Sequence, residues 1–367
     1  FNLKTILKNI DFCKKDIEAF QPDALIFIDY PGFNMRIAKW AKQKNIPTHY
    51  YIAPQIWAWK ENRVHKIKRD VFKLFCILPF EADFYQKYHY DVEYVGHPLV
   101  EVVEKKLTDD RLELTGKQFT NKPVIALLPG SRKQEISKKL PIMLSVANHF
   151  PEYQFVVAKA PGLEDDFYTP FLSTSTNVDS VRSQTYDLLI RSTAALVTSG
   201  TATLETALFE VPEIVCYKGS NISYQIAKRL INIKYISLVN LIMDKLVVKE
   251  LIQHELTTAN LINELTKILK DEVYNQQIRK DYKALKALLS EEGNASARAA
   301  ARRAAAGHGR PARASAPAIR TAGPRRSGRW RRAAGADRPW PGAWGPCPGS
   351  PRSIPAPGRT TRMEGTW

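Results

Sequence analysis

At 367 residues and 44% hydrophobic, the chain is long enough for two domains with cores of their own. Its net charge of +17 is unevenly spread: residues 301–367 hold fourteen Arg, no Lys and only Asp337 and Glu364 as acids, so this tail carries +12 and the rest +5. The basic balance is therefore a property of the tail and does not make the body a nucleic-acid binder.

The chain opens on FNLKTILKNIDFCKKDI, already in a helix-like apolar rhythm with no preceding strand, and an amino-terminal piece is expected to be missing. Short apolar runs then alternate with helical patterns: ALIFI (24–28), PTHYYI (47–52), LFCIL (74–78), VEYVG (92–96), VIALL (124–128), YQFVVA (153–158), AALVT (194–198) and EIVCY (213–217). Segments such as 33–44 and 134–149 between them have a 3.6-residue period, which predicts βαβ units on parallel sheets. A charged break without strand character falls at about 102–122, and two Rossmann-like lobes follow, 1–115 and 116–300, with a cleft between them. From 249 to 290 the pattern is purely helical and predicts closing helices packed over the lobes.

The tail lacks Leu, Val, Phe and Tyr and is crowded with Pro, Gly, Ala and Arg, so it is expected to be disordered and foreign to the Lys-, Ile-, Leu- and Asn-rich body. A polyanion-binding arm is the alternative. Cys13, Cys76, Cys216 and Cys347 are far apart with no CxxC, which suits reduced thiols. No apolar run reaches membrane-spanning length and no signal peptide is visible, so membrane contact is expected to be peripheral.

Three segments carry chemistry, each after a predicted strand. In IDYPGFN (28–34), Asp29 either accepts a proton from an attacking hydroxyl, or caps the next helix or bonds loop amides. In LLPGSRKQEI (127–136), Gly130 and Ser131 allow close backbone approach and Arg132 stands near a helix start, an arrangement that suits a diphosphate or forms a plain turn. In SGTATLE (199–205), Ser199, Gly200 and Thr201 present donors at a helix start, and Glu205 lies one turn beyond Thr201 on the same face, where a carboxylate can hold the hydroxyls of a ribose. The alternative is an N-cap followed by an exposed Glu; together with PGSR, nucleotide-sugar binding is the better reading. A fourth segment, YIAPQIWAWKENRVHKIKRD (51–70), sets Trp57 and Trp59 beside Lys60, Arg63, Lys66, Lys68 and Arg69, which suits an anionic lipid interface or a pair of core tryptophans with a solvated basic face. Glu164, Asp165 and Asp166 open a helix, and His97 in GHP either lines the cleft or makes a structural hydrogen bond. No His, Asp or Glu cluster has metal-ligand spacing, so no metal is expected.

Read in order, IDYPGFN, YYIAPQIWAW, ILPFEADFY, YVGHPL, LLPGSRKQEI, SGTATLE, YISLVNLI and KELIQ resemble the lipid-A-disaccharide synthases from residue 1 to about 300. The resemblance implies a GT-B fold and an inverting glycosyltransferase without cofactor, which transfers 2,3-diacylglucosamine from UDP to 2,3-diacylglucosamine 1-phosphate on the inner face of the inner membrane. It matches Asp29 to the family's essential acid, Arg132 to its essential arginine, Ser199, Gly200, Thr201 and Glu205 to its UDP-binding segment, and Asn240 to a loop asparagine. The partners it implies are the two acylated sugars and an anionic membrane surface; it allows a homodimer and gives no role to nucleic acid. The chain departs from the family at Val239, where relatives usually have Pro, and at Gly32, where they often carry Asp; it also starts after the strand and GE-x-SGD loop with which the family opens. The rival readings are another two-lobed enzyme, of the UDP-N-acetylglucosamine 2-epimerase or lipid II glucosaminyltransferase type, and a polyanion-binding protein.

Overall fold

The computed structural model describes residues 3–58, 60–109, 120–173, 176–220, 224, 234–290, 293 and 295–306. Two parallel sheets organise it. The first runs β1 (Leu25–Ile28), β2 (Thr48–Tyr51), β3 (Lys73–Cys76) and β4 (Glu93–Tyr94) in that spatial order. The helices α1 (Leu3–Phe20), α2 (Pro31–Gln43), α3 (Val64–Asp70), α4 (Pro79–Gln86) and α5 (Pro98–Leu107) alternate with these strands.

The second sheet has six strands: β5 (Val124–Leu128), β6 (Gln154–Lys159), β7 (Val178–Arg182), β8 (Ser192–Thr198), β9 (Glu213–Tyr217) and β10 (Lys249–Ile252). Their order is β10-β9-β8-β5-β6-β7, all parallel. The chain runs outward from β5 to β7, then returns to lay β8 against the other side of β5. Between β5 and β8 the direction of winding reverses, and parallel sheets bind ligands at such a switch point, beyond the carboxyl ends of the strands. Here α6 (Lys133–Leu144) follows β5, α7 (Asp165–Leu172) follows β6, α8 (Thr185–Arg191) follows β7 and α9 (Thr201–Leu208) follows β8. Every residue of β5 is buried, as expected of a central strand with helices on both faces.

Each sheet has its own core, and Trp57 packs against both. The helices Glu272–Ser290 and Ala295–Ala306 bring the chain back to the first sheet. Tyr94 Oη donates to the Leu288 carbonyl at 3.4 Å, Lys286 pairs with Glu104 at 3.3 Å, and the Ser296 amide donates to Glu101 Oε1 at 3.1 Å. From α5 to the second sheet's layer runs a further ion pair, Lys106 to Asp187 at 2.7 Å.

The eight strands expected from apolar runs are present, and two more were missed. Residues 249–252, expected to be helical, form the edge strand β10; Glu250 and Leu251 are both buried there, which a strand against β9 permits because adjacent side chains leave on opposite faces. The other, β7, is an edge strand of mixed polarity, VDSVR, without the apolar run that marks the inner strands. The charged break begins later than expected, since α5 continues to Leu107, and the division at 115/116 lies outside the described residues. The division at 300/301 is crossed by the helix Ala295–Ala306, whose Ala and Arg residues are strong helix formers. Residues 307–367, with Cys347, lie outside the described residues; Cys13, Cys76 and Cys216 are free thiols.

Candidate functional site

At the switch point two loops stand side by side, because β5 and β8 are paired in register up to Leu128 and Val197. The first carries Gly130 at φ 114°, a backbone conformation that favours glycine; a Cβ there would also come within 2.9 Å of Glu135 Oε2, the movable end of a long side chain, and 3.4 Å of Thr198 Cγ2. Ser131 is half-buried beside it. Arg132 is the N-cap residue of α6; its side chain is 71% exposed and its Nη1 lies 3.3 Å from Glu135 Oε1. The guanidinium is thus held by one partner and open to solvent on its other edges.

The second loop follows β8. Ser199 Oγ donates to the Ile236 carbonyl at 2.7 Å, and Gly200 caps α9 at φ 143°, ψ −161°, a region essentially closed to other residues. Thr201 is exposed in the first turn. Glu205, one turn on, is buried rather than exposed, and Tyr186 Oη donates to its Oε1 at 2.9 Å. Burial pushes the Glu205 carboxyl up, and the Tyr186 hydrogen bond partly offsets this.

Asn240 spends its side chain on the fold instead of leaving it for a ligand. It is fully buried: its amide donates to the Val248 carbonyl and to Glu250 Oε1, both at 2.9 Å, while its Oδ1 accepts from the Val247 and Val248 amides at 2.8 and 3.0 Å. Both donors and both acceptor positions of the amide are spent on the fold. Glu250 also accepts from the amides of Ile236 and Ser237, so Asn240 and β10 together hold the segment on which Ser199 leans.

Asp29 belongs to the other sheet, where β1 ends. It and Tyr30 both have φ 46°, two consecutive left-handed residues, each of which costs roughly 1–2 kcal/mol outside glycine. The strain is held in place by Tyr50 Oη and Asn34 Nδ2, which donate to the Asp29 carbonyl at 2.5 and 2.6 Å. The N-cap of α2 is Tyr30 and has no side-chain cap, so Asp29 does not cap that helix. Its carboxyl is half-buried; burial raises its pKa, with the Tyr30 amide acting against this, which makes it a stronger base than a solvated aspartate.

On the basic segment, α3 turns Val64 and Ile67 inward and leaves Lys66, Lys68 and Arg69 exposed, with Lys60 exposed just before it and Arg63 half-buried. Two of these charges serve the fold: Lys68 donates to the carbonyls of Tyr88 and His89 at 3.1 and 2.7 Å, and Arg69 grips the Asp70 carboxylate at 2.7 and 2.6 Å. Trp57 is an internal strut rather than an interfacial anchor. Its Nε1 donates to Glu81 Oε1 at 3.2 Å and its ring meets Phe80 edge-on at 4.9 Å, so the indole N–H is not left for a headgroup. Trp59 lies outside the described residues. His97 makes the structural bond: its Nδ1 accepts from the Leu99 amide at 3.2 Å, and burial lowers its pKa to about 4.

Sequence reasoning missed Tyr186, Glu81 and Lys139. Only Lys139 left a signal, a cation within the buried stripe Ile136, Leu140, Met143 of α6. Among the described residues no group of His, Cys, Asp or Glu could hold a metal ion, and no helix is long and apolar enough to cross a membrane.

Two parallel α/β lobes, with paired glycine loops at a switch point in the second, define a GT-B nucleotide-sugar enzyme. Solved structures agree on that fold: a UDP-GlcNAc 2-epimerase from Neisseria meningitidis bound to UDP-GlcNAc superposes with a TM-score of 0.58 at 16% identity, covering 82% of this chain and 81% of that one. The glycotransferase of kitacinnamycin gives 0.55 at 11% identity, covering 82% and 80%. The family model for lipid-A-disaccharide synthetase matches residues 1–305. Lipid-A-disaccharide synthases from Trichlorobacter lovleyi and Syntrophus aciditrophicus are 40% and 38% identical to this chain, over 72% and 80% of it and 71% and 78% of their own lengths. The chain belongs to the lipid-A-disaccharide synthase family and is a glycosyltransferase of lipid A biosynthesis.

Proposed function

We propose that the chain joins UDP-2,3-diacylglucosamine to 2,3-diacylglucosamine 1-phosphate by one in-line displacement, with the labour divided between its lobes. The acceptor 6-hydroxyl attacks the anomeric carbon of the donor as Asp29 takes its proton; the bond from that carbon to the diphosphate oxygen breaks, and UDP leaves. Arg132, the backbone around Gly130 and Ser131, and the helix start at Ser199, Gly200 and Thr201 receive the charge that develops on the diphosphate. Glu205, braced by Tyr186, accepts from the ribose hydroxyls.

The observation that carries this reading is the pairing of β5 with β8, which sets a guanidinium and two glycine loops at one switch point. Both substrates are acylated, so the cleft must work beside a membrane; the exposed Lys60 and Lys66, with the half-buried Arg63, support an anionic surface as the docking partner. The test is turnover with UDP-2,3-diacylglucosamine against UDP-N-acetylglucosamine. Disaccharide 1-phosphate and equimolar UDP should form only from the acylated donor. Interconversion of UDP-N-acetylglucosamine with its 2-epimer would overturn the reading.

A further inference from the structure

Lys139 lies under the switch point, and nothing in the transfer step derived above uses it. It is 3% exposed, in the second turn of α6. Lysine is rarely buried, because an ammonium leaves water at a high cost unless a partner compensates it. Its Nζ donates to Thr198 Oγ1, at the end of β8, and a Cβ on Gly130 would stand 3.6 Å from it. The ammonium therefore sits just below the junction of the two loops, next to the space that a side chain on Gly130 would fill.

The charges around it do not cancel. Thr198 is neutral. Glu135 is 3.9 Å from Nζ and shares its carboxylate with Arg132, at 3.3 Å, so two cations face one anion. Cys216, on the neighbouring strand β9, has its thiol pushed up by burial to about 12 and stays neutral, and burial raises the Glu213 carboxyl well above its ordinary value. A buried cation with a loose, shared partner projects positive potential into the loops above, through a low-dielectric wall that screens it weakly.

Resting on the nucleotide-sugar reading, we infer that Lys139 is a positioning residue for the diphosphate: a fixed positive charge beneath Gly130 that selects a doubly phosphorylated leaving group and orients it by its field and through the Glu135–Arg132 pair. It does not touch the ligand, and its effect falls on the phosphates and spares the nucleoside.

The experiment is calorimetry of UDP and of uridine against the full chain, its Lys139→Gln variant and its Thr198→Val variant, at low salt. Lys139→Gln keeps a donor for Thr198 and removes the charge; UDP affinity should fall about tenfold or more while uridine affinity changes less than about twofold, a factor of ten being ~1.4 kcal/mol. Thr198→Val removes the hydrogen bond and keeps the charge, so it should preserve the preference for UDP over uridine. Equal losses for UDP and uridine in Lys139→Gln would make Lys139 a structural strap, and unchanged UDP binding would remove it from the site. Should Lys139→Gln not fold, Thr198→Val still decides, because loss of the UDP preference there would assign the effect to the hydrogen bond. A parent chain that binds no UDP overturns the nucleotide reading itself, and this inference with it.

Discussion

Arg132 and Lys133 are adjacent cations in different surroundings. Arg132 is at the N-cap of α6, tethered only to Glu135, whereas Lys133 rests its ammonium 5.3 Å from the centre of the Phe167 ring. Only the first is placed to meet charge developing on a diphosphate. Arg132→Ala should therefore slow turnover by ~10²-fold or more, the scale on which one preorganised donor acts, and Lys133→Ala should leave it nearly unchanged. Steady-state rates of the two variants, compared at saturating donor, check this. At this scale the sequence was readable where backbone position decides, as at Asp29, Gly130 and Gly200, which stand where strands end. It was unreadable where burial decides. Periodicity says that Lys139 shares a stripe with Ile136 and Leu140 but not that its charge stays buried, and Asn240 was singled out by the resemblance alone, since nothing local says that its amide will be spent on Val247, Val248 and Glu250.

In the second sheet, strands were legible in proportion to how centrally they are packed. Inner strands such as VIALL and EIVCY announce themselves because helices cover both faces; the edge strands β7 and β10 have one neighbour each and tolerate polar residues. The start of α4 supplies a pH-dependent element of the fold. Glu81 accepts from the Ile77 and Leu78 amides and from Trp57, and burial holds its carboxyl up at about 7. An unfolded glutamate titrates near about 4.3, so the folded chain binds this proton more tightly. The stability it contributes is complete below that value and is lost as the pH rises through about 7. Glu81→Gln has no such titration, so the melting-temperature difference should move in the variant's favour between about pH 5 and pH 8. A constant difference would mean that Glu81 is ionised throughout. On the segment leading into α3, Lys60, Arg63 and Lys66 are the bases to neutralise; Lys68 and Arg69 are left in place so that their bonds to the Tyr88 and His89 carbonyls and to Asp70 are kept. Changing those three to Gln should weaken co-sedimentation with phosphatidylglycerol vesicles, each nearby charge contributing about 1 kcal/mol. The comparison is made without residues 307–367, whose arginines would bind the same vesicles; equal sedimentation would remove this face from the membrane.

At the scale of the whole molecule, the proposed mechanism divides one reaction between the two lobes. The first sheet ends on a strained, half-buried carboxylate, the second on paired loops around a net positive switch point. Helices that return from the second lobe to pack on the first tie the halves together, through Tyr94, Glu101 and Glu104. The parallel βαβ plan was legible from the alternation of apolar runs, but that return was not, because a helix near the end of a chain does not say which lobe it will cover. The division of labour makes a sharp demand on Asp29→Asn. The substitution keeps the size of the side chain and removes the proposed base, while the proposed nucleotide contacts all lie on the other sheet. The most direct measurement is single-turnover transfer of diacylglucosamine together with UDP calorimetry on that variant. UDP should bind as tightly as to the parent while transfer slows by roughly 10²–10⁴-fold, the range of general-base catalysis. Transfer at the parental rate, or loss of UDP binding along with it, would contradict a mechanism divided between the lobes.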